Sequence, residues 1–394
     1  MHTVVVGGGF AGVKAALEIS KKNLGKVTLI SDETHFLHHA TLYATATGRS
    51  KDESVVPLED MFSPHSGVKV VHDRVTSIDP TRRLVIGKSK QYHYDSLVLA
   101  LGVVTTYFNI DGMAQHSYGI KTLDEVKRFH KDLHDHVVED NHLDKNYVVV
   151  GAGPTGVELA GALAEYLQKI AEAHQLKRKK VRILLVEAAP RILPRSSETA
   201  SRKVTQQLKK MGVTVQTNHK VQGLDANFIF IEGKKVPTHT AIWTSGVANH
   251  PFYAKHQEYF KLAPNGRVEV NQYLEAYSNV YVIGDNASTK YTGVARNALD
   301  DATFIAQHLA RKVAKRPLKA RRPTPPPSGI PVGDAWSYVE WHGLYVAGRI
   351  GAWFRRWIEL SGYRQLLPRH LAHKAWRAHH VYDVSCKQCK KCLT

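Results

Sequence analysis

Short apolar runs that end in glycine mark two places in the first half of the chain. Thr3-Val-Val-Val6 leads into Gly7-Gly8-Gly9-Phe10-Ala11-Gly12, and apolar residues then recur at helical spacing through Ile19. Tyr147-Val-Val-Val150 leads into Gly151-Ala152-Gly153-Pro154-Thr155-Gly156, with the same spacing beyond it. A second β-branched run follows each, Lys26-Val-Thr-Leu-Ile-Ser31 and Val181-Arg-Ile-Leu-Leu-Val-Glu187. Short apolar runs bounded by turn residues read as buried parallel strands, and the 3.6-residue period between them reads as a crossover helix. The pattern predicts two βαβ units, hence an α/β fold with two Rossmann-like dinucleotide-binding domains.

Both turns fit G-x-G-x-x-G. Gly7 and Gly151 suit the tight turn, Gly9 and Gly153 let a pyrophosphate approach the backbone, and Gly12 and Gly156 let the helix pack closely on its strand. The helix N-terminus beyond offers unpaired N–H groups and a partial positive charge to phosphate. The motif alone is weak; a strand before it and a helix after it are the context that gives it meaning. A carboxylate for the adenosine ribose is expected about 20 residues further on. Asp32 stands there in the first unit, one residue past the strand end at Ser31. Glu187 closes the corresponding strand of the second unit, after a longer helix and a basic turn. A carboxylate at that point accepts from a ribose 2′-OH and repels a 2′-phosphate, which favours NADH over NADPH. Arg191 is the neighbouring cation that works against this preference.

Charge and aromatics separate the end of the chain from the rest. The 394 residues carry 54 Lys and Arg against 35 Asp and Glu, a formal net charge of +19, which suits anionic partners. Residues 311–394 hold 17 of the basic and 4 of the acidic residues, with five of the six Trp. The Pro-rich segment 316–331 reads as an extended spacer between a body and a tail. Within 345–361, Val346, Ile350, Trp353, Phe354, Trp357, Ile358 and Leu360 fall on one arc of a helix, and Arg349, Arg355, Arg356 and Glu359 on the other. That is the composition of a helix lying in a membrane interface. There is no apolar run long enough to span a bilayer and no signal-peptide pattern at the N-terminus. The expectation is a cytoplasmic protein, peripheral on the inner face of the cell membrane, with its tail on anionic lipid. Nucleic acid is not expected as a partner, and pairing of two copies as a homodimer stays open. The only cysteines are Cys386, Cys389 and Cys392. Their C-x-x-C spacing, near His379 and His380, is one that zinc uses, but it reads as a reduced basic tail and no metal is assigned.

The two units, the second inserted in the first, resemble the flavoproteins with two dinucleotide-binding domains. Three further segments carry the likeness. Tyr94-Asp-Ser-Leu-Val-Leu-Ala-Leu-Gly102 looks like the strand that leaves the flavin domain, and Ala241-Ile-Trp-Thr-Ser-Gly-Val247 like the one that leaves the nucleotide domain. Val280-Tyr-Val-Ile-Gly-Asp285 looks like the late G-D motif. Disulfide reductases and sulfide:quinone reductases need thiols near the flavin, and no cysteine precedes residue 386. The segment GAGPTGVELAGALAEY is similar to that of the type II NADH dehydrogenases, the non-pumping NADH:quinone oxidoreductases.

The resemblance implies FAD at Gly7, Gly9, Phe10, Ala11, Gly12, Asp32, Ala100, Gly102, Gly284 and Asp285. It implies NADH at Gly151, Gly153, Thr155, Gly156, Glu187 and Gly246, and a quinone near Ala295, Asp300 and Asp301. Glu158 would be catalytic, positioning the carboxamide of the nicotinamide or carrying protons. The domains would be 1–112 with 264–315 for FAD, 113–263 for NADH, a linker at 316–331 and a membrane-interface tail at 332–394. One stretch departs from the family. Ala295-Arg296-Asn297-Ala298-Leu299-Asp300-Asp301-Ala302 carries carboxylates where relatives have paired amides, and an ionised carboxylate cannot donate to a quinone carbonyl. The other reading of these acids is as acceptors for Arg296 or backbone. His38 or His39 would relay protons at the flavin or serve a structural role. Two rival functions remain: a soluble flavin NADH oxidase or diaphorase reducing oxygen, a metal or a protein carrier, and a basic flavoprotein acting as a binding or signalling module.

Overall fold

The computed structural model describes residues 1–62, 67–138, 146–175, 182–383 and 386. Both apolar-run pairs form parallel strands. His2–Val6 lies between Lys26–Ser31 and Ser96–Leu99, with Val4 opposite Thr28 and Leu97. Val68–His72 and Val280–Val282 extend this sheet in parallel on either side, and Glu275–Tyr277 closes one edge antiparallel. The second sheet runs Val213–Gln216, Arg182–Val186, Asn146–Val150, Thr240–Trp243, all parallel. Its central strand is buried throughout, as expected for parallel strands covered on both faces.

Phe10–Lys21 is the crossover helix of the first unit and Pro154–Ala173 that of the second. A late helix, Ala295–Val313, packs against the first crossover helix over the same core, which holds Val13, Leu17, Ile305 and Leu309. The two units are joined by an antiparallel ribbon in which Val103–Thr105 pairs with Val247–Asn249. This moves the expected boundary at 263. Phe252, Tyr253 and Phe260 pack with Val4, Val6 and Leu97, so the segment after the ribbon belongs to the first unit.

The end of the chain differs most from its expectation as a separate tail on a spacer. The segment 316–331 is anchored at Arg321 and from Ser328 on, while 316–320 are exposed. Arg321 donates its backbone N–H to Gln272 at 2.8 Å and its Nε to Asp301 at 2.9 Å. Asp301 is 1% exposed, and removing one partner of a buried ion pair costs about 3–5 kcal/mol. Ser328–Pro331 is a strand that pairs with Ser337–Trp341, which pairs in turn with Leu344–Gly348, so this sheet straddles the expected boundary at 331/332. The predicted helix over 345–361 therefore starts later and runs Arg349–Leu366, followed by Arg369–Ala378. Ile330, Val332 and Tyr338 join the core of the second unit, while Tyr363, Leu366, Ala372 and Ala375 join that of the first. The C-terminal part is thus a clasp over both units.

Candidate functional site

Each fingerprint turn is built by contacts that only glycine allows. Gly7 and Gly151 hold φ of +117° and +101°, a region that L side chains avoid. A Cβ on Gly12 would stand 1.9 Å from the carbonyl oxygen of Gly7, and one on Gly156 equally close to that of Gly151. The middle glycines are different. A Cβ on Gly9 or on Gly153 would meet no protein atom within 4 Å. The space beside these two residues is not needed for packing, and it is where a pyrophosphate would come closest. Both crossover helices begin there with no side-chain cap and no acidic residue in the first turn, and so does the late helix at Ala295. Helix ends of this kind leave N–H groups and the positive end of the dipole for an anion. The residues present fit two dinucleotides.

The neighbouring predicted residues gather at the first turn. Ala100 follows the strand Ser96–Leu99, its N–H bonded to Val6 O at 2.8 Å. Gly102 is held on both sides by one amide: it donates to Asn286 Oδ1 at 2.8 Å and accepts from Asn286 Nδ2 at 2.5 Å. Asn286 is fully buried and also donates to Asn249 Oδ1 at 2.7 Å. It therefore ties the A-x-G strand end, the G-D turn and the domain ribbon together. The sequence reading stopped one residue short of it at Gly284 and Asp285. Asp285 accepts from Gly293 N at 3.1 Å. Lys121 is a second residue that the motifs did not reveal. It is held in a desolvated setting that lowers its pKa, with the charge of Asp285 as the main opposing influence. Asp32 lies at the surface, 3.3 Å from Arg74 Nη2.

In the second unit Glu187 accepts from Ala152 N at 2.7 Å and from Ala189 N at 2.8 Å, which fixes its carboxylate against the glycine turn. Arg191 points elsewhere and donates to the carbonyls of Leu193, Pro194 and Ser196 at 2.9–3.0 Å. The cation that worked against a preference for NADH is committed to its own loop. Gly246 holds φ of +77°, and Thr244 Oγ1 donates to Val150 O and Gly151 O, pinning this strand end to the turn. Thr155 is exposed in the first turn of its helix.

Glu158 lies on the buried face of the same helix, 8% exposed. Burial pushes its carboxyl up to about 8; the Arg355 charge pulls it down and the Glu359 charge adds to the rise. It is therefore largely protonated at neutral pH and able to donate a hydrogen bond. Both influences come from the C-terminal helix, on which Arg355, Arg356 and Glu359 face inward while Arg349 stays exposed. Arg355 and Arg356 each lie 2.5 Å from a Glu359 oxygen. Burial pushes the Glu359 carboxyl up, but the two guanidinium groups outweigh it and hold it below the usual carboxylate range. His379 Nδ1 lies 2.8 Å from Glu53 Oε1, and Arg49 pairs with Asp334. Arg49, Asp334, Arg355, Glu359, His379 and Tyr43 surround a cavity of about 30 Å³. The apolar arc points out: Ile350 is 65% exposed, Trp353 57% and Trp357 52%. Leu360 alone of that arc is buried. The sequence put Arg355 and Glu359 on a solvated face, and the structure corrects this.

The acids of the altered stretch are occupied. Asp300 accepts from Arg296 Nε at 3.0 Å near the surface. Asp301 accepts from Arg321 Nε, from Asn297 Nδ2 and from Gly284 N, the backbone of the G-D turn. Burial pushes the Asp301 carboxyl up to about 6, so it remains ionised opposite Arg321 at neutral pH. These contacts match the reading of both acids as acceptors. His38 is buried between Phe10, Phe36 and Tyr363, and its ring lies 3.1 Å from Thr41 Oγ1. Burial lowers its pKa to about 4, so it is uncharged at neutral pH. His39 is exposed, with Nδ1 3.0 Å from Leu37 O.

Comparison with known proteins agrees with this geometry. Residues 1–302 match the profile of the pyridine nucleotide-disulphide oxidoreductases. The type II NADH:quinone oxidoreductase Ndh of Mycobacterium tuberculosis is 29% identical over 82% of this chain and 75% of that protein. NdhA of the same organism is 30% identical over 79% of this chain and 72% of that one. The chain belongs to the type II NADH:quinone oxidoreductases. The resemblance drawn from the motifs is borne out, as is the α/β fold with two dinucleotide-binding units. Among solved structures, NDH2 of Plasmodium falciparum in complex with NADH superposes with a TM-score of 0.85 at 18% identity, over 96% of this chain and 97% of that one. A sulfide:quinone oxidoreductase of Aquifex aeolicus gives 0.80 at 20% identity, over 94% and 92%. Both are likenesses of fold, and they take in most of the C-terminal clasp of this type II oxidoreductase.

The glycine contacts separate folding from binding. Gly9→Ala should yield a folded protein that purifies without yellow colour, because the methyl occupies only the phosphate's space. Gly153→Ala should keep the colour and raise KM for NADH at least about tenfold, the effect of losing roughly 1.4 kcal/mol. Gly12→Ala should instead lose folded protein. Absorbance spectra, circular dichroism and steady-state kinetics decide. A yellow Gly9→Ala protein with native activity would contradict the cradle.

Proposed function

We propose that the chain takes hydride from NADH onto FAD and passes two electrons on to a quinone at a membrane surface, without pumping protons. The observation that carries this reading is the pair of glycine cradles, each unobstructed at its middle glycine and each headed by a bare helix N-terminus. FAD, when bound, supplies a group that accepts two electrons as hydride and releases them to an acceptor. The chain's own part is binding, orientation and proton handling. Gly9 and the helix start at Phe10–Gly12 would hold the FAD pyrophosphate, with Ala100, Gly102, Gly284 and Asp285 lining its path and Asp32 near its ribose. Gly153, Thr155 and Gly156 would hold that of NADH, with Gly246 at the strand end facing them. Glu187, fixed by two backbone N–H groups, would accept from the adenosine ribose. Glu158 holds a proton in a dry setting, which suits a group that donates to the carboxamide or supplies a proton to a reduced acceptor. Ala295 heads the late helix on the acceptor side. Asp301 there works through Arg321 and the G-D turn as a positioning residue, and Asp300 through Arg296.

The membrane part of the reading is supported by the outward apolar arc. With Trp341, Leu344 and Tyr345 of the adjoining hairpin also exposed, it forms the kind of patch that soluble monomers avoid. Arg349 and Arg364 are exposed on the same helix, and cations near an anionic leaflet contribute about 1 kcal/mol each. No described helix is long and apolar enough to cross a bilayer. The protein would sit on the inner face of the cell membrane, with the patch in the headgroup region. The acids in place of paired amides favour a second reading, an NADH oxidase or diaphorase with oxygen, a metal or a protein carrier as acceptor.

Two measurements test the reading. With NADH and a soluble quinone, turnover should be flat below pH 7 and fall as the pH rises through about 8, where Glu158 loses its proton. Glu158→Gln should keep FAD, slow turnover at least about tenfold and remove that limb. Native kcat and KM with the limb intact would defeat the role. In flotation assays the protein should bind vesicles containing anionic lipid, and Trp353→Ser with Trp357→Ser should release it. Equal flotation of that variant would contradict the proposed membrane face, and a loss of dimer rather than of lipid binding would assign the patch to a second copy.

A further inference from the structure

The C-terminal segment beyond the last helix is sewn along the protein by a series of contacts. Ser50 N donates to Val381 O at 2.8 Å, and Asp383 N to Gly48 O at 3.0 Å. Lys51 N donates to Asp383 Oδ2 at 2.8 Å. Tyr382 accepts from Lys169 Nζ at 2.8 Å, and the Arg49 guanidinium lies over its ring. The run starts on the first unit and ends on the second. It brings Cys386 to His174, the residue that caps the C-terminus of the second crossover helix. His134, on the helix Leu123–Val138, lies beside them.

These three side chains come from three separate stretches of sequence. One ligand atom from each, all half-buried, falls within 4.8 Å of the other two. Cys386 Sγ lies 3.6 Å from His174 Nε2. That is the edge expected of a tetrahedral zinc site, since bonds of about 2.3 Å to sulfur and 2.05 Å to nitrogen set at about 109° place the two ligands about 3.6 Å apart. Nδ1 of His134 lies 3.5 Å from a carboxylate oxygen of Asp135. A carboxylate beside one ring nitrogen orients an imidazole and directs the other nitrogen to a metal.

We propose that His134, His174 and Cys386 form a zinc site that fastens the end of the chain to the NADH-binding unit. Two imidazoles and a thiolate are a donor set of zinc rather than of calcium or magnesium, which take oxygen ligands. The sequence motif pointed to His379 and His380 as partners of the thiols. His379 is instead engaged by Glu53, and the histidines that meet Cys386 lie more than 200 residues away in sequence. Cys389 and Cys392 fall outside the described residues, and the site does not depend on them. With water in the fourth tetrahedral position, it would close the clasp at the point where the chain has crossed from one unit to the other.

The test uses the full-length, FAD-loaded protein, stripped with chelator, equilibrated with Zn²⁺ alone and dialysed. One zinc per chain should remain by elemental analysis. Co²⁺ in its place should give tetrahedral d–d bands with a thiolate charge-transfer band. His134→Ala, His174→Ala and Cys386→Ser should each weaken zinc binding by more than about tenfold in chelator competition, with the flavin spectrum unchanged as evidence of folding. Asp135→Asn should weaken it by about 10–100-fold. Absence of stoichiometric zinc in the native protein would overturn the proposal. So would native affinity in the variant lacking both histidines, which would place the metal on the tail thiols alone.

Discussion

The closeness of helix to strand at two glycine pairs is the constraint from which the rest of the structure follows. Gly12 sits against the carbonyl of Gly7, and Gly156 against that of Gly151, with less room than a methyl group needs. That approach aims each crossover helix's N-terminus at the end of its own strand. It also leaves the middle glycine beside open space, so an anionic dinucleotide finds unpaired N–H groups and no side chain in its way. The late helix, packed beside the first crossover helix, adds a third bare N-terminus near the same turn. Asn286 and Thr244 then fix the strand ends that border the two cradles.

A second layer of organisation comes from the C-terminal clasp, where a charged stripe is buried and an apolar stripe is left outside. Burying Arg355 and Glu359 is costly unless the charges are paired, and here two guanidinium groups share one carboxylate. Burial raises the proton affinity of Glu158, and the cluster adds two smaller, opposing influences from the other end of the chain. A single helix therefore links three properties: the protonation of a residue at the second cradle, the cohesion of the two units, and an exposed tryptophan face.

Much of this could be read along the chain, and the parts that could not share a cause. The βαβ units and their glycines were legible because strand, turn and helix are neighbours in sequence and each glycine answers a local steric demand. The helix after Gly348 was legible as amphipathic, but not which stripe faces inward, since that is decided by what packs on it. Arg355 and Glu359 look like an ordinary solvated pair until Glu158, Glu53 and His379 are brought beside them. The Pro-rich stretch has the composition of a spacer, and the bond from Arg321 to Asp301 that docks it spans 20 residues. Asn286 carries no motif of its own. Its role lies in holding Gly102 and Asn249, both distant in sequence.

The central claim is that two dinucleotides lie in these cradles with nicotinamide and flavin able to exchange hydride. Anaerobic titration of the purified yellow protein with NADH tests it most directly. The account predicts that the visible flavin absorbance bleaches with about one NADH per chain and returns when a quinone is added without oxygen. A protein that stays colourless after reconstitution with FAD, or a yellow one that NADH does not bleach, would contradict it.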